Sequence, residues 1–165
     1  GVTPIASAAL AGFLEHHLEE PVNPISAPYE AQERGIRLAE VKEAIDLYSA
    51  AIRVTVSGEK GSHTATGVPG RNGEPRLVAL DEYAIDAVLE GSVIMMRNLD
   101  RPGVIGSVGT LLGSRGINVS RMQVGLDEKT GQALALYNVD SAVGDEALDE
   151  LRKIENVSSV LNLRL

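Results

Sequence analysis

A short segment, Asn98-Leu99-Asp100-Arg101-Pro102-Gly103-Val104-Ile105-Gly106, collects polar groups where a strand is predicted to end and a helix to begin. Pro102 and Gly103 allow a sharp turn into the helix, whose first N–H groups have no partner inside the helix and favour an anion. Asn98 and Asp100 supply oxygen acceptors for an ammonium group. A zwitterionic amino acid needs both kinds of partner, so the segment is predicted to bind one.

The same segment has an alternative interpretation as an ordinary helix cap. Asp100 would then accept bonds from the first-turn N–H groups and stabilise the helix by roughly 1 kcal/mol, with no ligand. The helix itself is rich in glycine, and we expect Gly109 and Gly113 to allow close packing against a sheet. No G-x-G-x-x-G or G-x-x-x-x-G-K-[ST] sequence occurs, so a nucleotide-binding loop is not indicated.

Arg76 lies where a turn-rich segment ends and a strand begins, with Arg71 nearby. Two guanidinium groups on one loop can hold a phosphate or a carboxylate, so Arg76 is a candidate anion site. The alternative is a surface ion pair with Glu74 or Asp81, which contributes about 0–1 kcal/mol.

Residues for catalysis or metal binding are few. His16 and His17 are adjacent on a predicted helix and point about 100° apart, which prevents a metal pair on one face. His63 follows Ser62 in a predicted strand, where neighbouring side chains point to opposite faces, so a Ser–His pair is not expected. The chain has no Cys, which excludes disulfides and thiolate metal sites. We therefore expect neither a catalytic residue nor a metal site here.

Composition narrows the partners further. The 165 residues include 15 Lys and Arg against 23 Asp and Glu, a net charge of −8. Because no basic cluster offsets this charge, nucleic acid is not an expected partner. No run reaches the ~18 apolar residues of a membrane helix, so a membrane is not expected either. The start, Gly1-Val2-Thr3-Pro4, has no Met and no signal-peptide layout, and we interpret the chain as a piece of a longer, cytoplasmic protein.

The first part of the chain predicts a mixed α/β domain. Thr3 and Pro4 mark a helix start, and a helical apolar stripe follows at Leu10, Leu14 and Leu18. Prolines then break this helix, and residues 29–34 predict a second, short one.

From Ile36 onward the apolar period moves toward two, and it is clearest at Ile52, Val54 and Val56, which predict a half-buried strand. Turn residues then separate further antiparallel strands at 62–66, 76–80 and 83–88. We place the domain boundary after residue 90, so that the first domain is 1–90 and the second is 91–165.

The second domain has a simple element order. Its pattern predicts strand, helix, two strands, helix and strand, at residues 92–97, 103–114, 116–126, 132–140, 145–153 and 157–163. This βαββαβ order is typical of a ferredoxin-like fold, a four-stranded antiparallel sheet with two helices on one face. Residues 133–136 are too uniformly apolar for an exposed strand. The predicted fold class of the whole chain is α+β.

Several runs of the chain together resemble one known family, the long-type D-3-phosphoglycerate dehydrogenases. The resemblance rests on Gly73-Glu74-Pro75-Arg76-Leu77-Val78, Asp81-Glu82-Tyr83-Ala84-Ile85-Asp86-Ala87-Val88, residues 98–113 and Gly116-Ile117-Asn118-Val119-Ser120-Arg121-Met122-Gln123-Val124-Gly125. Asn23-Pro24 and Glu33-Arg34-Gly35 add to it. The similar part is the C-terminal half of those enzymes, an intervening (allosteric-substrate-binding) domain followed by an ACT domain.

The resemblance implies an effector site for L-serine that lowers the activity of the dehydrogenase. By position, Asn98 and Asp100 are similar to the loop residues that hold the amino acid, and Asn118 to an asparagine that reaches it from a neighbouring ACT domain. The remaining residues of the predicted effector loop are Arg101, Pro102, Gly103, Val104 and Ile105. The family's nicotinamide-binding glycine motif and catalytic residues have no counterpart here. The chain alone is therefore expected to hold no cofactor, with NAD bound elsewhere in the parent enzyme.

The resemblance also implies partners. These are L-serine, the catalytic domains of the parent chain, and the ACT domain of a second protomer. We expect the second protomer to pair edge to edge through the first strand of the βαββαβ unit. Two other functions stay open: the ACT-containing subunit of a bacterial L-serine dehydratase, and a stand-alone amino-acid-binding regulatory module.

Overall fold

A computed structural model describes residues 2–43, 48 and 50–165 and divides the chain into two compact units. The first unit is Gly1–Asp46 and the second is Leu47–Leu165. No helix in the described ranges has both the length and the apolar character needed to cross a bilayer.

In the part of the first unit that the structure describes there are two helices, α1 (Pro4–Glu15) and α2 (Ala27–Glu33). Thr3 caps α1 as predicted, because its side chain accepts a hydrogen bond from the Ala6 N–H at 3.3 Å. The predicted apolar stripe packs against α2, and Leu10 and Leu14 are buried with Ala27 and Ala31.

The first sheet of the second unit has four antiparallel strands in the order in which they follow along the chain. They are β1 (Ile52–Gly58), β2 (Gly61–Pro69), β3 (Pro75–Leu80) and β4 (Tyr83–Val88). The alternation predicted for β1 is present in the sequence, but Ile52 and Val56 are 49% and 39% exposed, so this edge strand is not half-buried as predicted. Residues 36–43 form no strand, and 44–47 and 49 lie outside the described residues.

The second sheet carries two helices on one face, as predicted. Its elements are β5 (Ser92–Leu99), α3 (Val104–Ser114), β6 (Val119–Asp127), β7 (Gln132–Val139), α4 (Asp145–Arg152) and β8 (Val157–Arg164). The antiparallel strand order β6-β7-β5-β8 confirms the ferredoxin-like arrangement. The two sheets and four helices found among the described residues together confirm the α+β class.

The position of β5 corrects one expectation. The first strand of the βαββαβ unit is not an edge, because it pairs with β7 on one side and β8 on the other. Each crossover of this fold skips one strand position, which leaves β5 in the middle of the sheet. The edges are β6 and β8.

The two sheets of the second unit pack face to face. Leu134 and Leu136 of β7 contact the first sheet through Leu77 and Ile85, whereas Tyr137 faces the helices. The strand is therefore buried on both faces, which explains its uninterrupted apolar run. The predicted boundary after residue 90 lies between the sheets along the chain, but the sheets share one core, and that boundary stays a prediction.

Candidate amino-acid-binding site

The loop that follows β5 is fixed at its start by two other loops. The Leu99 N–H donates to the Asn156 carbonyl at 2.9 Å, and the Asp100 N–H donates to the Gly131 carbonyl at 2.8 Å. Asn156 precedes β8 and Gly131 lies in the β6–β7 turn. The loop backbone is thus held at one end of the sheet, just before the α3 helix begins.

The N-terminus of α3 has no side-chain cap. Gly103 occupies the N-cap position with φ +94°, a left-handed conformation that suits glycine. Within the described part of the chain, the N–H groups of Ile105 and Gly106 donate to no protein acceptor. The Asp100 side chain makes no bond to this turn, so the capping alternative is wrong. Two N–H donors of the first turn point away from the helix, with no carboxylate on them.

The side chains of the loop differ in exposure. Asn98 is 5% exposed, and its Nδ2 donates to the Leu99 carbonyl at 2.8 Å, which fixes the amide plane. Asp100 is exposed at the rim of the loop, and among the described residues its carboxylate accepts no hydrogen bond. Of the remaining predicted contact residues only Val104 is buried; the exposed ones are Arg101, Pro102, Gly103 and Ile105.

Asn118 lies at the opposite end of the same sheet. It immediately precedes β6, whose Val119 is paired with Val139, and its N–H donates to Asp140 at 3.1 Å. The effector loop is at the other end, where Leu99 pairs with Gln132. A strand of this length separates the two ends by roughly 25 Å at about 3.3 Å per residue. One chain therefore does not bring Asn118 to the loop.

Arg76 is engaged by two carboxylates. Its Nε donates to Asp86 Oδ1 at 2.7 Å, and its Nη1 lies 3.7 Å from Glu74 Oε1. Hydrogen bonding with Asp86 raises the pKa of Arg76. Of the two ion-pair partners considered from the sequence, Glu74 is correct and Asp81 is not. An anion at Arg76 would compete with two carboxylates, and the anion site stays a prediction.

Asp81 belongs instead to a cluster that the sequence reasoning missed. Its Oδ2 accepts from Arg97 Nη2 and from His63 Nδ1, both at 2.9 Å, and its Oδ1 accepts from the Thr64 N–H at 2.9 Å. Burial opposes ionisation of this carboxyl, but the bonds from Thr64, His63 and Arg97 outweigh it and hold its pKa below the usual value. Sequence carries no signal for the cluster, because its members come from three separate elements.

The glycines of α3 also differ from expectation. A Cβ atom on Gly109 or Gly113 would meet no atom within 4 Å, and both residues are exposed. They do not mediate the close contact with the sheet that their spacing indicated. The contact comes from Val108 and Leu112, which are fully buried.

No metal-ligand cluster is present among the residues that the structure describes. His17 uses its ring Nδ1 in a 2.8 Å hydrogen bond with the Phe13 carbonyl and stacks on that residue's ring. His63 faces Asp81, and Ser62 bonds Ser57 across the strand pair, so the pair His63–Ser62 is not formed.

Comparison with known sequences agrees with this architecture. The D-3-phosphoglycerate dehydrogenase intervening domain matches residues 1–81, and the ACT domain matches residues 92–156. The βαββαβ unit with its glycine-started first helix is thus an ACT domain, and the chain is an ACT-domain protein.

The matched relatives are longer proteins with one name. The D-3-phosphoglycerate dehydrogenase of Synechocystis sp. is 36% identical over 98% of this chain and 29% of its own length. Those of Methanocaldococcus jannaschii and Bacillus subtilis are 32% and 33% identical, over 98% and 94% of this chain. The chain spans about 30% of the length of the relatives it matches. This chain therefore matches the intervening domain and the ACT domain, and in sequence it is similar to part of the D-3-phosphoglycerate dehydrogenases.

Proposed function

We propose that this chain is the regulatory part of an NAD-dependent D-3-phosphoglycerate dehydrogenase of L-serine biosynthesis, and that it binds L-serine for feedback inhibition. The observation that supports this most is the uncapped start of α3, whose two unpaired N–H donors follow Asn98 and Asp100 along the same loop. The similarity supports the pathway, since the relatives are named D-3-phosphoglycerate dehydrogenases.

Each group of the amino acid has a matching partner in the loop. The carboxylate fits the N–H groups of Ile105 and Gly106, where the helix dipole also favours negative charge. The ammonium group fits the Asp100 carboxylate, which has no other partner in the described residues. The small hydroxymethyl side chain would face the Asn98 amide. A larger side chain would have to pass the exposed Ile105.

We further propose that a second copy of the chain completes the site, by pairing through β6 rather than through β5. The β6 strand is an edge, and its Met122, Val124 and Leu126 are 38–45% exposed on the face that carries the helices. An antiparallel pair of β6 strands related by a twofold axis places the start of one strand beside the end of the other. The partner's Asn118 would then lie near Asp127, at the end of the sheet that holds the effector loop.

In this proposal the chain itself performs no chemistry. NAD and the catalytic residues belong to the catalytic domains of the parent enzyme, which acts in the cytoplasm. L-serine bound where the two β6 strands pair changes the angle between the protomers. A coupling of ~1–3 kcal/mol between effector and active site suffices for strong inhibition. The anion site at Arg76 is a separate proposal, and it requires that Asp86 release the guanidinium.

Titration with a panel of amino acids tests the effector site. L-serine should bind in calorimetry and raise the melting temperature, whereas D-serine and L-leucine should do so weakly. Asp100→Ala should abolish the rise. A matched control is Asp145→Ala, which removes an exposed acidic residue from the first turn of α4 and should leave binding unchanged. Absence of heat and of a thermal shift at millimolar L-serine contradicts the proposal.

The identity of the parent can be tested separately. The coding sequence upstream of residue 1 should encode a doubly wound nucleotide-binding domain. A different domain there, such as the cluster-binding part of a dehydratase, contradicts the dehydrogenase assignment while leaving serine binding possible.

A further inference from the structure

The Asp81 cluster joins the first sheet to the strand that leads into the effector loop. Asp81 lies in the tight turn between β3 and β4, and Arg97 lies on β5 directly before Asn98. The two residues are in contact through a 2.9 Å ion pair whose side chains are 12% and 35% exposed. Among the described residues, this ion pair connects the first sheet with the end of β5.

Asp81 is held rigidly on its own side of the contact. Its φ of +51° is left-handed, a conformation that costs a non-glycine residue energy and persists only where surrounding contacts impose it. The Asp81 N–H donates to the Thr64 carbonyl at 2.7 Å, and the Thr64 N–H donates back to Asp81 Oδ1 at 2.9 Å. The carboxylate is thereby fixed to β2 before it meets Arg97.

The side chain of Arg97 makes two contacts, and its backbone makes a third. Besides the bond to Asp81, its guanidinium lies over the ring of Tyr83, with 5.9 Å from Cζ to the ring centroid. Tyr83 is 3% exposed and belongs to the core between the sheets. The Arg97 carbonyl also accepts a bond from Ser158 Oγ at 3.0 Å, at the point where the β5–β8 register shifts.

We propose that Asp81 is a positioning residue for the effector loop: it fixes Arg97, and through Arg97 the backbone of residues 98–100. This inference rests on the proposed function for its effect on serine binding, but not for its effect on the loop itself. Side chains alternate along β5, so Arg97 faces the first sheet while Asn98 faces the helices, and a shift of one moves the other.

Asp81→Asn is the sharpest test because the carboxylate accepts bonds on both oxygens. An amide of the same shape has one donor end, so it opposes a donor to either Arg97 or Thr64 in both orientations. The readout is hydrogen exchange of the Leu99 and Asp100 amides, whose bonds to Asn156 and Gly131 hold the loop. Exchange of these two amides should accelerate by about tenfold relative to the core amide of Leu136.

Three further variants separate positioning from general loss of stability. Arg97→Met keeps a long apolar stem over Tyr83 but removes the bond to Asp81, so it should accelerate the same two amides. It decides the matter if Asp81→Asn does not fold. His63→Val removes the other bond to the same carboxylate oxygen and should leave the loop amides unchanged. Glu150→Gln breaks an ion pair of Arg115 between α3 and α4, and it should also leave them unchanged.

L-serine affinity is measured on the same proteins. Asp81→Asn and Arg97→Met should raise the Kd by roughly two- to thirtyfold, the span expected of mutations that alter coupling without touching the ligand. If the unmodified protein binds no L-serine, the proposed function fails while the exchange data still decide the role of Asp81. Unchanged exchange of Leu99 and Asp100 in both variants overturns the inference.

Discussion

Two glycines of α3 place different demands on the backbone. Gly103 has φ +94° at the N-cap, whereas Gly109 lies in the helix interior with no atom within 4 Å of the place where a Cβ would be. The first position needs glycine for its conformation, and the second has no such requirement. Glycine is therefore required at position 103 and not at position 109.

Alanine substitutions at these two positions should have opposite effects. Gly103→Ala should lower the free energy of unfolding by roughly 1 kcal/mol, because a left-handed alanine is strained. Gly109→Ala should raise it by about 0.5–1 kcal/mol, since alanine has the higher helix propensity and room is available. Urea unfolding followed by circular dichroism measures both. A stabilising Gly103→Ala would contradict the cap geometry.

The pH dependence of stability should contain a contribution from Asp81. Its pKa in the folded protein is lowered from the usual 3.8, so the folded state favours the charged form. The stability that the charged Asp81 contributes is fully present when the pH is above the unfolded-state pKa. It is lost as the pH falls through the lower pKa of the folded state. The difference in melting temperature between the unmodified protein and Asp81→Asn should therefore narrow below about pH 4. A difference that stays constant down to pH 2.5 would exclude this contribution.

At the scale of elements, the contact between β4 and β6 depends on one small residue. A Cβ on Gly125 of β6 would lie 2.6 Å from the Ala84 carbonyl oxygen and 3.2 Å from the Cβ of Tyr83. The neighbour at the shorter distance is backbone, which yields less readily than the end of a side chain. The close approach of the two sheets at this place therefore requires glycine.

Gly125→Ala should consequently separate the sheets locally and destabilise the second unit by about 1–3 kcal/mol, the usual cost of overpacking. Gly113→Ala is the matched control, because its Cβ would meet nothing within 4 Å. Denaturant unfolding midpoints compare the two. Equal midpoints would show that β4 moves away from β6 at little cost.

Element types could be predicted because the apolar period changes between two and 3.6 along the chain. The bounds of β4 and the starts of β5, β7, α4 and β8 agree with the prediction. The burial of β1 and the central position of β5 could not be predicted in this way, because both depend on which strands become neighbours. Alternation reports that a strand has an apolar face, but not what covers it.

For the whole molecule, the two edges of the ACT sheet make the dimer proposal testable. Val124 of β6 is 42% exposed and Leu161 of β8 is 52% exposed, so both accept a lysine without burying its charge in the monomer. Val124→Lys should convert a dimer into a monomer, because the ammonium group would lie on the helix face directly beside the partner's β6. Leu161→Lys should leave the dimer intact. Light scattering measures the mass of the oligomer. If only Leu161→Lys dissociates the dimer, the two protomers pair through β8 and the proposal is wrong.

The residues of the loop between β5 and α3 could be predicted from the sequence, but the place of that loop relative to Asn118 and Asp81 could not. Asn98, Asp100 and Gly103 lie together because they are neighbours in one loop, and helix-start chemistry is local. The distance between Asn118 and that loop, and the contact of Asp81 with Arg97, follow from the strand order and from sheet stacking. Such long-range relations leave no periodic trace in the chain.

The strand that is buried on both sides has a consequence for how this module can be inherited. If the βαββαβ unit were expressed or recombined without the first sheet, the side chains of Leu134, Leu136 and Val93 would be exposed to water. They would then form an apolar surface that favours aggregation. A gene recombination that moves this unit must therefore include β1–β4 as well, or place another element over the exposed face of the second sheet. Residues 52–88 and 92–164 are therefore expected to be inherited together, although the two matched domain models divide the chain between them.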